Sequence, residues 1–419
     1  MNFSNVSTVA SYSLISQTMN YNDLSQKDLD ELMKKLEELK KSKKLVSSLY
    51  NVHKSTVLLH EAAHFFDNLA TLSGQYLLVN TYNAINELSS LDKKASSTSI
   101  SNYFEKIHKW SNKKFYKTTH SIYTEPTSSK WKYSFKKEED NLIVLFKFNG
   151  NIVSEVPFTM ESLWETNAMW AEIRYHIAEL VLEEDKELQT IETAILNKKY
   201  TEYVYDPSLF LYSVCAHLTS SFLCEGDIIA PFDVSKCLAT IALNLPYEYY
   251  ERLKKPKGKI FGNLTKELLK ETREVNPSLI YLILLENVFE SGKKYTAFGR
   301  IHIKEILSIN RLPNLSTLNK VISQEIEKLN IEDEDGFGEF SYRYLERKEV
   351  GKHLFNIHGI GGGLSTHPLF LAQIAEQSKL CVFQEDMDEN AAYKAYEEGY
   401  DLERKMIKIY NARNVLMVK

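Results

Sequence analysis

Leucines recur at helical spacing early in the chain, at Leu29, Leu32, Leu36 and Leu39 on a background of lysine and glutamate. This pattern predicts an exposed amphipathic helix over Asp28 to Lys44. The texture then changes. From Val57 to Leu72 apolar residues fall on nearly every side of a helix, with Ser55 or Thr56 as its cap and Gly74 as its stop, and such a helix belongs in the interior. Between Trp131 and Phe158 the period shortens to that of strands. Leu142 to Phe148 and Asn151 to Val156 flank Asn149-Gly150, the pair that favours a type I′ hairpin turn. Helical spacing resumes near Met160 and runs through Leu243.

Three breaks punctuate the second half: the basic stretch Arg252 to Lys259, the acidic segment Glu332 to Glu339, and the glycine run Gly359 to Gly363. The resulting expectation is a mainly α (α+β) chain in three parts. An N-terminal helical arm covers 1–48, a metal-binding domain covers 49–250 with a β-hairpin or small antiparallel sheet near 131–158, and a mainly helical domain covers 251–419 with its glycine-rich loop at 359–363. No internal repeat stands out.

Composition narrows this only a little. A chain of 419 residues, 43% hydrophobic and 26% charged, can bury a large core without disulfides, and a net charge of -5 gives no reason to expect nucleic acid or anionic lipid as partner. Cys215, Cys224, Cys237 and Cys381 lack the close spacing of metal knuckles and read as buried free thiols. Met1 to Met19 has no secretory signal and Leu279 to Leu285 is too short to span a bilayer, so a cytoplasmic location without membrane contact is expected.

The candidate chemistry lies on the interior helix. His60-Glu61-Ala62-Ala63-His64 is an HExxH string, in which residues four apart stand one turn above each other. Both imidazoles can therefore face one Zn²⁺, with Glu61 beside them to take a proton from water. His60, His64, Asp67 and Thr71 form one narrow polar stripe on this apolar helix, and buried polar groups need partners. A third ligand is needed downstream. Glu165 is the best candidate, since Glu165-Thr-Asn-Ala168 puts a small residue one turn after the carboxylate and lets a second helix approach the first. Glu161 and Glu172 share its face, together with His176, and remain open as alternatives.

HExxH followed by ExxA resembles the zincin metallopeptidases that use a glutamate as third ligand, over roughly Ser55 to His176. The resemblance implies a zincin-like helical core, zinc on His60, His64 and Glu165, Glu61 as general base, and a peptide or protein as substrate. The stretch from His60 to Gly74 is also similar to a group of uncharacterised bacterial HExxH proteins. Asp67 can accept a hydrogen bond from a ligand histidine, and Glu172 stands with it as a supporting carboxylate. Near the end, Ser365-Thr366-His367-Pro368 resembles a string in the CAAX-processing and heat-shock membrane metallopeptidases. On that reading His367, or else His358, donates to the oxyanion of an attacked carbonyl; the plainer reading is a glycine turn followed by a proline-started helix.

Two other classes compete. A second ExxH string, Glu105-Lys-Ile-His108, suggests a di-iron or di-manganese carboxylate bundle. A catalytically silent zincin-like scaffold in a bacterial regulatory or defence system is the third possibility. Oligomeric state is not legible.

Overall fold

The computed structural model describes residues 10–15, 19–21, 52–90, 98–111, 116–118, 131–138, 141–182, 185–224, 228–262, 264, 276–296, 301–332, 339–360 and 389–417. The expected arm helix, most of the acidic segment, Cys381, Gly361 to Gly363 and His367 lie outside them. The chain is mainly helical with one small antiparallel sheet inserted, as the period changes predict.

A short ribbon, β1 (Ala10–Tyr12) and β2 (Met19–Tyr21), precedes α1 (Val52–Ala70). It packs on that helix through Tyr12, whose hydroxyl donates to Asn68 Oδ1 at 3.3 Å. Ser55 and Thr56 do not cap α1, because the helix begins earlier, at Val52. Nor is Gly74 its stop. The helix ends at Ala70, Thr71 forms the bend, and α2 (Leu72–Ser90) follows at once with Gly74 in its first turn. Thr71 Oγ1 accepts from Gly74 N–H (3.0 Å) and its own hydroxyl donates to Asp67 O (2.5 Å), so threonine is the cap. A Cβ at position 74 would overlap the Asp67 and Asn68 carbonyl oxygens, which explains the glycine.

After α3 (Thr98–Ser111) comes the sheet: β3 (Lys117–Thr118), β4 (Trp131–Glu138), β5 (Asn141–Phe148) and β6 (Asn151–Pro157), in the order β3-β6-β5-β4, antiparallel throughout. Asn149 (φ 50°) and Gly150 (φ 85°) both hold the positive dihedrals that the type I′ turn requires. Strand β6 runs almost directly into α4 (Met160–Leu182), so the sheet sets where that helix begins. Leu142, Val144, Phe146 and Phe148 alternate along β5 and are all buried. Phe146 stacks on Phe210 with ring centroids 4.2 Å apart, which docks the sheet on the later helices. Each such fully buried side chain contributes about 1.5–3 kcal/mol.

Among the described residues the further α-helices are α5 (Lys186–Val204), α6 (Phe210–Phe222), α7 (Ile229–Leu243), the single turn α8 (Tyr247–Tyr250), α9 (Pro277–Glu290), α10 (Ile301–Ile309), α11 (Leu315–Lys328), α12 (Glu339–His358) and α13 (Glu389–Met417). Helix α4 lies at the centre, against α1, α6 and α7, while α12 packs on α1 and α2. Gly351 of α12 sits directly over the Leu69 carbonyl of α1, which leaves no room for a Cβ. One apolar core runs from Tyr12 to Met406, across both the 1–48/49–250 and 250/251 divisions. Cys215, Cys224 and Cys237 are buried free thiols. Among the described residues no helix is long and apolar enough to cross a membrane.

Candidate metal centre

The two elements that carry the sequence motifs cross where the motifs lie. Ala62 and Ala63 on α1 and Ala168 on α4 are buried, and these small side chains let the helices approach closely. His60 and His64 project from α1 with ring centroids 4.8 Å apart, and Glu165 reaches between them from α4. Glu165 Oε2 stands 3.1 Å from His60 Nε2 and 3.6 Å from His64 Nε2. All three ligating atoms lie within 4.8 Å of one another, the one such grouping of potential metal ligands among the described residues.

The donor set fits a metal ion. Tetrahedral zinc with bonds of about 2.0–2.1 Å would hold its ligand atoms about 3.3 Å apart, close to the two carboxylate–imidazole distances. Two imidazoles and one carboxylate also suit a catalytic rather than a purely structural ion, because they leave a coordination position open.

Glu172, about two turns further along α4, holds the opposite edge of the His60 ring: Nδ1 lies 2.7 Å from Glu172 Oε1. That contact fixes the ring plane and leaves Nε2 for the Glu165 side. Burial alone would lower the His60 pKa, but hydrogen bonds to Glu165 and Glu172 outweigh it and raise the value well above the usual histidine range. His64 is fixed differently. Its ring is buried and stacks against Trp164 (centroids 6.3 Å apart, planes 28° apart).

Glu61 is 7% exposed and sits beside this cluster. Burial pushes its carboxyl up to about 7; His60 opposes the rise, and Glu165 and Glu172 add to it. A carboxyl poised near neutrality is suited to both taking and returning a proton. Of the three carboxylates left open by the sequence, Glu165 is the one that meets both imidazoles. Glu161 is buried on the same helix, and its charge is felt at Tyr212.

Asp67 has a different partner from the one expected. Its two carboxylate oxygens accept from Asn167 Nδ2 at 3.0 and 3.1 Å, so it ties α1 to α4 instead of orienting a ligand histidine. Burial raises its pKa well above the usual range, against the Asn167 hydrogen bond and the buried Lys236 ammonium nearby. His358 closes α12 against Phe66 (centroids 5.8 Å apart). Glu105, the acid of the second ExxH string, is exposed on α3.

Sequence reasoning missed the aromatic wall. Tyr212 of α6 lies 6.1 Å from the His60 ring, and Tyr203 of α5 lies 6.2 Å from Tyr212. Burial, then the charges of Glu165, Glu161 and Glu61, raise the Tyr212 phenol well above its usual value. It therefore remains a protonated donor beside the cluster. The same holds for Tyr203, through burial and Glu172. No known protein family, curated protein or solved structure matches the chain.

Proposed function

We propose that this chain is a zinc-dependent hydrolase, most specifically a metallopeptidase. The observation that carries the reading is the convergence of His60, His64 and Glu165 on one point, with the buried Glu61 one residue from the first ligand. His60, His64 and Glu165 would hold the ion; Glu172 would keep His60 in the ligating orientation. When bound, zinc supplies Lewis acidity, which acidifies water and polarises a carbonyl.

The rest of the chemistry belongs to the chain. Glu61 removes the proton from the attacking water and returns it to the leaving amine as the amide bond breaks. The buried surroundings that raise its pKa also strengthen every charge interaction inside the site. Tyr212, held protonated, offers a hydrogen bond to an oxygen on the His60 side of the cluster.

The test is peptide-library profiling of wild-type and Glu61→Gln protein alongside metal analysis. The reading expects Glu61→Gln to retain zinc while turnover falls by roughly 10²–10⁴-fold. Full hydrolytic activity in that variant would refute the assignment of the base.

A further inference from the structure

Exposure across the metal centre rises from one side to the other. Glu165 and His64 keep 2% and 7% of their side chains accessible, whereas His60 and Glu172 keep 13% and 18%. A substrate therefore meets the centre from the Glu172 edge. Tyrosines wall that edge. Tyr203 of α5 and Tyr212 of α6 stand 6.2 Å apart with their planes at 72°, two sides of a corner, and both are half-buried. Tyr200, one turn before Tyr203 on α5, is the third wall: it is 2% exposed, and its buried hydroxyl has no hydrogen-bond partner. Burial, then the charge of Glu172, raise the Tyr200 phenol well above its usual value, so the hydroxyl lies in the field of that carboxylate and stays neutral.

The chemistry of this corner selects its ligand. Glu172 accepts from His60 through Oε1, while Oε2 makes no hydrogen bond among the described residues. Tyr203 feels the charges of Glu172 and Glu165, and Tyr212 those of Glu165, Glu161 and Glu61. Even with a divalent ion bound, these carboxylates leave the space beside the tyrosines negative. The faces of the rings add the negative side of their quadrupoles. A carboxylate or phosphate would meet repulsion here. A positive group with several N–H donors satisfies the open Glu172 oxygen, the buried Tyr200 hydroxyl and the ring faces together. The exposed Lys199 lies over the Tyr200 ring at 5.7 Å, so this wall already attracts a cation, yet Lys199 forms no ion pair with Glu172.

We propose that Tyr200, Tyr203, Tyr212 and Glu172 form a subsite for an organic cation, an ammonium or a guanidinium, that a peptide substrate carries beside the scissile bond. The cation donates to Glu172 Oε2 and to the Tyr200 hydroxyl and lies against the Tyr203 and Tyr212 rings. Its role in peptide cleavage rests on the hydrolase reading; the affinity for a cation does not. Because Glu172 holds His60 through its other oxygen, one carboxylate joins recognition of the charge to the orientation of a metal ligand. The α-ammonium of a peptide and a lysine or arginine side chain offer this same chemistry.

Isothermal titration calorimetry of the full chain with n-butylammonium and n-butylguanidinium, against 1-butanol as the neutral control, reads the subsite without any turnover. At least one cation should bind in about the millimolar range, about tenfold or more tighter than butanol. Tyr203→Leu should weaken that binding by about five- to thirtyfold. Tyr200→Phe, which keeps the ring and removes only the hydroxyl, should weaken it by about three- to tenfold. Circular dichroism and zinc content should match wild type in both. Cleavage of paired peptides then separates the sources: acetylating the N-terminus raises KM if the α-ammonium is read, acetylating lysine raises it if the side chain is, and Tyr203→Leu loses the difference. Cation binding without any cleavage would leave the subsite standing and count against the hydrolase reading. Cations that bind no better than butanol, or equally well to wild type and both variants, would overturn the proposal whether or not peptides are cleaved. So would binding that emerges only in Lys199→Ala, which would make Lys199 the occupant.

Discussion

His60 has a carboxylate on each side, Glu165 at Nε2 and Glu172 at Nδ1. The two contacts do different work: the first closes a ligand set, and the second holds the ring so that the set stays closed. Replacing Glu172 with Gln keeps the shape but removes the charge that makes His60 a strong donor. Zinc affinity, measured by competition with a chelating dye, should fall by about 10–100-fold, with the fold and the remaining ligands intact. Unchanged affinity would mean that Glu172 only packs against the ring. The two histidines and Glu61 were legible in the sequence because their relation is local, fixed by one turn of one helix. Tyr212 was not, since its place beside His60 depends on how α6 packs on α4, and an apolar run such as Phe-Leu-Tyr-Ser-Val carries no trace of that. Asp67 was legible as a buried acid on the right stripe, but its partner Asn167 stands on another helix.

Between elements, close approach decides the geometry. Gly74 lets the α1–α2 bend fold back on the Asp67 and Asn68 carbonyls, just beyond the His60–His64 turn of α1. Gly74→Ala should destabilise the protein by about 2–3 kcal/mol, through backbone displacement that no side-chain rotation can relieve. Urea denaturation checks this, and an unshifted midpoint would show that the bend yields freely. The hairpin was readable from Asn149-Gly150, since two consecutive residues with positive φ are a local demand that this dipeptide meets. The end of α1 was misread for the opposite reason. Glycine is a common stop, but here Thr71 makes the bend and caps the next helix, and the glycine is required by contact with a carbonyl. Likewise, the change of period marked the sheet, yet its outer strand β3 is two residues long and left no pattern to find.

At the scale of the whole molecule, the basic stretch after Tyr250 does not interrupt the apolar core. Residues 252–259 loop over the same continuous core, and α12 reaches back to α1 at Gly351, contacts that no local composition announces. Within that core His217 is fully buried and neutral, donating from Nε2 to Val204 O (2.7 Å) while Nδ1 faces the Tyr133 hydroxyl (3.0 Å). Burial lowers its pKa to about 4, despite the Val204 hydrogen bond. The unfolded chain, with histidine near 6.5, therefore binds the proton first as pH falls, and stability present above 6.5 is lost toward 4. From pH 7 to pH 5 this one residue should remove about 2 kcal/mol. Chemical denaturation at both pH values, compared with His217→Gln, isolates that loss; equal slopes in the two proteins would contradict it.

The most direct test of the central claim is the metal content of purified protein and of Glu165→Ala, a substitution outside the HExxH helix. One zinc per wild-type chain, lost or sharply weakened in Glu165→Ala, is the predicted result. A wild-type chain that takes up no zinc, or zinc that is indifferent to Glu165, would contradict the account.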